Sequence, residues 1–190
     1  RILQMTKNEE KKKRLFLGTF VKHENLENVY SEIQNDFRKV ISGKWVEREN
    51  LHFTYKFLGA VEESKIKDIT SVLTPYLRVY ESMLEFRGLG VFPHPKNPRL
   101  LWLGLYNPDR AVFEAAMGID QEMSKIGFPP EKRKFLPHVT LIRIKRSLST
   151  GFLDILREYK RIEAEPMKQF SINLIESKLT PEGPIYSIIK

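Results

Sequence analysis

Apolar residues recur along the chain with two periods, and the switches between them mark out its elements. Arg14 to Val21 is an almost unbroken apolar run, read as a largely buried strand. From Asn25 to Ile41 the positions Leu26, Val29, Ile33, Phe37, Val40 and Ile41 recur at helical spacing, with Gly43 as a stop. Leu51 to Gly59 alternates instead. Leu51, Phe53, Tyr55 and Phe57 fall on one face, and His52, Thr54 and Lys56 on the other, as in a strand with one side against a core.

A second helical pattern covers Glu62 to Tyr80, and Pro75 ends or kinks it near Thr74. Alternation returns over Ser82 to Phe92, followed by a Pro-rich loop at 93–98 and a buried strand from Arg99 to Tyr106. Asp109 to Ile126 reads as a helix stopped at Gly127. Pro137 to Ile142 reads as a strand, and Phe152 to Ile162 as a helix capped by Ser149 or Thr150. Two strands close the chain, Gln169 to Leu179 and Pro184 to Ile189. Strands and helices mixed without strict alternation predict an α+β fold. The arrangement expected is two pseudo-symmetric lobes, each an antiparallel-rich sheet with helices on its outer face, facing across a central groove. Residues 1–13 are polar and are set aside as a flexible tail, and residues 14–190 are expected to form a single bilobal domain.

Composition narrows the class. The chain has 190 residues, 41% of them hydrophobic, enough for one sizeable core. No apolar run is long enough to cross a bilayer, and no leader with a cleavage site precedes the first strand. With no cysteine, disulfides, iron–sulfur clusters and thiolate zinc sites are excluded, and a cytoplasmic protein fits. A formal charge of +8 favours anionic partners such as RNA or nucleotides.

The chemistry lies in a repeated phrase. The chain has four histidines, and two of them stand in His-x-Thr strands, His52-Phe53-Thr54 and His138-Val139-Thr140. Two residues along a strand span roughly 6.6–6.8 Å with both side chains on one side, so an imidazole and a hydroxyl can touch one small anion together. Two such strands face to face would hold a phosphate between two imidazoles and two hydroxyls. One ring then serves as general base and the other as general acid, since an ordinary imidazole titrates near neutral pH. No metal is required. Zinc bound by the two histidines is the competing reading, but its third ligand would have to be a carboxylate, His23 or His94, none at a ligand spacing.

These motifs resemble the paired motifs of the 2H phosphoesterase superfamily, in particular its RNA 2′,3′-cyclic phosphodiesterase branch, also called the 2′–5′ RNA ligase family. The likeness extends to Arg14-Leu15-Phe16-Leu17-Gly18, Trp45-Val46, Glu49-Asn50-Leu51, Lys56-Phe57-Leu58-Gly59, Leu136-Pro137, Leu141-Ile142-Arg143 and Gly183-Pro184-Ile185-Tyr186. The resemblance implies metal-independent hydrolysis of an RNA or nucleoside 2′,3′-cyclic phosphate to a 2′-phosphomonoester, with no cofactor. It implies His52 as proton donor, His138 as proton acceptor, and Thr54 and Thr140 as holders of the phosphate. The same chemistry on another cyclic nucleotide such as ADP-ribose cyclic phosphate, the reverse 2′–5′ ligation, and a non-catalytic RNA-binding module are the alternatives. Arg143, Lys56 and Tyr186 are further substrate-binding candidates. On a regular strand Arg143 points away from His138 and Thr140 and reaches the groove only through a bulge. Lys56 has the groove's parity but lies about 13 Å along the strand from His52, where it would attract RNA at the mouth. Tyr186 and Trp45 are candidates for stacking on a base, and the basic groups at 132–134 and Lys145-Arg146 for the nucleic-acid backbone. Phe53, Tyr55 and Phe57 are assigned to the core. A monomer with RNA cyclic-phosphate ends as partner, and no membrane contact, is expected.

Overall fold

The structure is a computed structural model that describes residues 11–147 and 150–190. Eleven strands and four α-helices are formed among them. Strand β1 (Lys12–Phe20) pairs antiparallel with β3 (His52–Glu62) on one side and β10 (Asn173–Thr180) on the other. With β11 (Gly183–Ile188) they make a four-stranded sheet in the order β11-β10-β1-β3. The second sheet has the order β2-β7-β6-β5-β8, built from β2 (Ile41–Trp45), β5 (Leu84–His94), β6 (Asn97–Tyr106), β7 (His138–Ser147) and β8 (Glu163–Met167). A two-stranded pair, β4 (Val79–Tyr80) with β9 (Phe170–Ser171), completes the set. The expected α+β fold with two facing sheets is therefore what forms. The lobes exchange chain: β2 leaves the first half to pair with β7, and β10 and β11 return from the end of the chain to the first sheet.

One buried cluster runs through both lobes. Alternate residues Leu15, Leu17 and Thr19 of β1, Phe53 and Tyr55 of β3, and Val139 and Leu141 of β7 all point into it. The helices cover the sheets with apolar faces at helical spacing. Helix α1 (His23–Phe37) buries Leu26, Tyr30, Ile33 and Phe37. Helix α3 (Ala111–Lys125) buries Val112, Ala116, Ile119 and Met123. Helices α2 (Ile66–Leu73) and α4 (Phe152–Glu158) are shorter than their apolar patterns predict. Among the described residues no helix is long and apolar enough to cross a membrane.

Several sequence expectations need correction. The first strand starts at Lys12, inside the expected tail: Lys12 and Lys13 pair with Glu62 and Val61, and Lys13 Nζ donates to Glu176 at 3.2 Å. Helix α1 stops at Phe37, and Ile41 opens β2 instead of ending the helix. Gly43 lies within that strand. A Cβ there would sit 2.1 Å from the Arg143 carbonyl oxygen, so only glycine lets β2 lie this close to β7. The 93–98 loop narrows to a tight turn, since β5 runs through His94 and β6 begins at Asn97. Of the proposed caps for α4, Ser149 is outside the described residues, and the helix begins after Gly151 without a side-chain cap.

Candidate active site

His52 and His138 each open a strand, and the same local bond fixes each ring. His52 Nδ1 lies 2.6 Å from the carbonyl oxygen of Asn50, and His138 Nδ1 lies 2.8 Å from that of Leu136. A carbonyl can only accept, so Nδ1 carries the hydrogen in both rings and Nε2 is left for a ligand. Aromatic walls hold the planes. Phe16, Phe20 and Tyr186 surround His52, with ring centroids 5.1, 6.2 and 5.1 Å away, while Phe92 and Trp102 lie 5.1 and 5.8 Å from His138.

Both strands open on one cavity of about 1030 Å³, lined by His52, Thr54, His138, Thr140, Arg143 and Tyr186 among others. Burial, opposed by the bond to Asn50, lowers the pKa of His52, and the charges of Arg143 and His138 lower it further. Because His52, Thr54, His138, Thr140 and Arg143 line the same cavity, the motifs and Arg143 share one electrostatic neighbourhood. Burial likewise raises the pKa of Tyr186, with Arg143 opposing.

A matched irregularity in the two strands decides what else faces the cavity. Between Gly18↔Thr54 and Leu17↔Lys56 the pairing skips Tyr55, and between Trp102↔Thr140 and Leu101↔Ile142 it skips Leu141. Each motif is thus followed at once by a bulge that reverses the strand's facing. In β7 this brings Arg143 to the cavity, the route that simple alternation denied it. In β3 it brings Phe57 to the cavity and turns Lys56 away. Phe57 is 71% exposed instead of packed in the core, and it stands where Arg143 stands in the other motif, five residues past the histidine.

Lys56 is therefore no groove residue. Its side chain is buried, with Nζ 2.5 Å from Asp120 Oδ1 and 2.8 Å from the carbonyl oxygen of Pro129. The backbone N–H of Glu131 donates to both Asp120 oxygens at 3.1 Å. Lys56 pins the segment that leads from α3 into His138 to the strand that carries His52. Tyr55 adds a stacked contact with Phe135 on the same segment, at 6.2 Å.

The hairpin of β10 and β11 closes one side of the cavity. Asn50 Nδ2 donates to the Pro184 carbonyl at 3.1 Å, and Lys44 donates to that of Glu182. Gly183, at φ 139°, makes the turn, and a Cβ there would meet Lys44 Nζ at 2.8 Å. Trp45 lines the cavity and packs edge-on against Tyr30 at 6.0 Å. The groups at 132–134, Lys145 and Arg146 are exposed and do not line the cavity. Among the described residues no three His, Cys, Asp or Glu side chains come together as a metal-binding group.

This arrangement agrees with what known proteins share with the chain. The family described as LigT like Phosphoesterase matches twice, over residues 21–102 and 104–186, so each half carries one copy of the pattern. Two curled sheets presenting a repeated motif to a common groove define a phosphoesterase fold. The chain belongs to the LigT-like phosphoesterase family of the 2H superfamily. The RNA 2′,3′-cyclic phosphodiesterase of Methanothermobacter thermautotrophicus is 39% identical over 167 residues, 86% of this chain and 90% of that protein. That of Methanocaldococcus jannaschii is 36% identical over 178 residues, 93% and 98% of the two chains. In overall fold the chain is similar to a crystal structure from Thermus thermophilus, with a TM-score of 0.74 and 23% identity over 93% of this chain and 95% of that one. It is also similar to Escherichia coli LigT complexed with 3′-AMP, with a TM-score of 0.68 and 21% identity over 94% and 96%.

Proposed function

We propose that this protein hydrolyses RNA ends carrying a 2′,3′-cyclic phosphate to 2′-phosphomonoesters, without a metal ion, using His52 and His138 as an acid–base pair. The observation that carries the reading is the convergence of two His-x-Thr strands on one cavity, each imidazole tied back through Nδ1 with Nε2 left for substrate. Neutral His138 takes a proton from water as its oxygen attacks phosphorus. Protonated His52 gives its proton to the 3′ oxygen as the P–O3′ bond breaks, and the phosphate stays on the 2′ oxygen. Thr54, Thr140 and Arg143 hold the equatorial oxygens and meet the charge that builds on them. Phe57 and Tyr186 offer aromatic faces to the base and ribose. The proposed enzyme is a monomer formed by residues 14–190 with Lys12 and Lys13, and the cysteine-free sequence fits the cytoplasm.

The lowered pKa of His52 favours a second reading in which the two roles are exchanged, because a ring held toward its neutral form is prepared to accept a proton. A cyclic phosphate with sulfur at the 3′ leaving position separates the readings, since a thiolate leaves without a proton. Rescue of His52→Ala but not His138→Ala by this substrate supports His52 as the acid, and the converse supports the exchange. The proposal as a whole is tested by incubating the protein with an oligonucleotide ending in a 2′,3′-cyclic phosphate in excess chelator. A 2′-phosphate product is expected. A 3′-phosphate product, no turnover, or turnover abolished by the chelator contradicts it.

A further inference from the structure

The face that β1 and β3 present to the cavity is graded along its length. Phe20 pairs with His52, Gly18 with Thr54, Phe16 with Phe57, and beyond them Arg14 with Ala60 beside Gly59. Imidazole, hydroxyl, aromatic pair and guanidinium follow one another in steps of two β1 residues. Arg14, Leu15 and Phe16 all border the cavity, but only Arg14 of the three is exposed, and Leu15 and Leu17 belong to the hydrophobic core. Each two-residue step covers roughly 6.6–6.8 Å, comparable to the rise of one nucleotide along an extended single strand. Arg14 thus lies two steps, at most about 13 Å, past the row that carries Thr54.

Its pairing sets it apart from its neighbour. Lys13, on the opposite face of β1, is matched by Glu176 at 3.2 Å and Glu63 at 4.0 Å. Arg14 enters no ion pair among the described residues, although Glu47, Glu49 and Glu182 line the same cavity. Ser177, whose neighbour Glu176 pairs with Leu15, brings a hydroxyl to the same end of the cavity. A guanidinium with no carboxylate partner, beside a hydroxyl at one end of a groove, is a site for a phosphodiester.

We infer that Arg14, with Ser177, binds the phosphodiester that joins the terminal nucleotide to the one before it, and so makes the site prefer oligonucleotides to nucleoside cyclic phosphates. The inference rests on the function proposed above. With the reacting phosphate between Thr54 and Thr140 and the terminal nucleoside over the exposed ring of Phe57, which Phe16 backs, the preceding linkage falls at Arg14. A nucleoside cyclic phosphate has no group there.

The test compares kcat/KM for a nucleoside 2′,3′-cyclic phosphate, an oligonucleotide with the same end, and that oligonucleotide with a neutral methylphosphonate at its last linkage. Wild type should favour the oligonucleotide, and the methylphosphonate should remove about tenfold of that preference. Arg14→Met should lower the ratio of oligonucleotide to nucleoside kcat/KM by about the same factor. It should also be indifferent to the methylphosphonate and reduce the salt slope of the oligonucleotide reaction by about 0.7. Arg14→Lys should retain much of the preference. A ratio unchanged in Arg14→Met, or a wild type that treats the methylphosphonate as the natural linkage, overturns the inference. The methylphosphonate arm needs no variant to fold. Wild-type turnover of neither natural substrate defeats the proposed function itself, an outcome separate from failure of the Arg14 contact.

Discussion

Lys56→Met removes the ammonium that faces Asp120 at 2.5 Å and the Pro129 carbonyl at 2.8 Å while keeping most of the side-chain volume. Asp120 then retains the Glu131 N–H, and the Pro129 carbonyl loses its donor. Removing one partner of a buried ion pair costs about 3–5 kcal/mol, mostly because the other charge is left uncompensated. Lys56 is almost fully enclosed, but the Asp120 side chain is 26% exposed, and water there moderates the loss toward the lower end, about 3 kcal/mol. For a chain of this size each kcal/mol shifts the melting temperature by about 2–4 °C, so a drop of about 6–12 °C is expected. Urea unfolding followed by circular dichroism gives the free energy directly. Lys56→Met/Asp120→Leu should recover part of the loss, because among the described residues the only carboxylate then left without the ammonium is that of Glu131, 3.9 Å from Nζ and 57% exposed to water. A single variant within about 1 kcal/mol of wild type, or single losses that simply add in the double variant, would refute the reasoning. The salt dependence of RNA binding should be the same in Lys56→Met as in wild type, since the ammonium does not face the groove.

Phe57→Ala should raise KM for cyclic-phosphate substrates about 10–100-fold, the scale of one base–aromatic stack, and barely move the urea midpoint, because the ring is 71% exposed. An equal loss of stability would put the ring in the core instead. Arg143→Met removes one of the charges that lower the pKa of His52, so the NMR titration midpoint of His52 should rise toward the ordinary value, while burial still holds it below. A midpoint that falls or stays fixed contradicts the shared neighbourhood. Because folding lowers this pKa, the folded state binds fewer protons than the unfolded one between the two values. The neutral ring's contribution to stability is therefore full above about pH 6.5 and is lost as pH falls toward the folded value. His52→Gln should flatten that part of the profile in urea unfolding at pH 7.5 and 5.5, and an unchanged slope counts against the assignment.

How far the site could be read from sequence turned on strand parity. The alternation around His52 and His138 placed both motifs on strands, and the repeat placed the strands opposite each other, because period two holds wherever pairing is regular. Pairing is not regular past either threonine, and the bulges at Tyr55 and Leu141 belong to the register with β1 and β6, not to local preference. In β7 the phase break is written in the chain, since Val139, Leu141, Ile142 and Ile144 are apolar and buried, and two of them are adjacent. In β3 the adjacent pair Phe57-Leu58 fits either phase, so simple alternation put Phe57 in the core and Lys56 in the groove, the reverse of what forms. β2 was hidden because Val40 and Ile41 prolong the helical spacing of α1. β8 was hidden because Glu163, Glu165 and Pro166 give this edge strand little apolar signal.

The most direct test of the central claim is the rate of cyclic-phosphate cleavage by His52→Ala, His138→Ala and the double variant, measured in chelator beside their affinity for an RNA end that cannot be cleaved. An acid and a base working on one phosphate predict a loss of about 10²–10⁴-fold in each single variant. They also predict a double variant little worse than either, since the two rings act as a unit, with RNA affinity largely kept. Single variants that retain near wild-type rates, or losses that match a parallel loss of RNA binding, would contradict it.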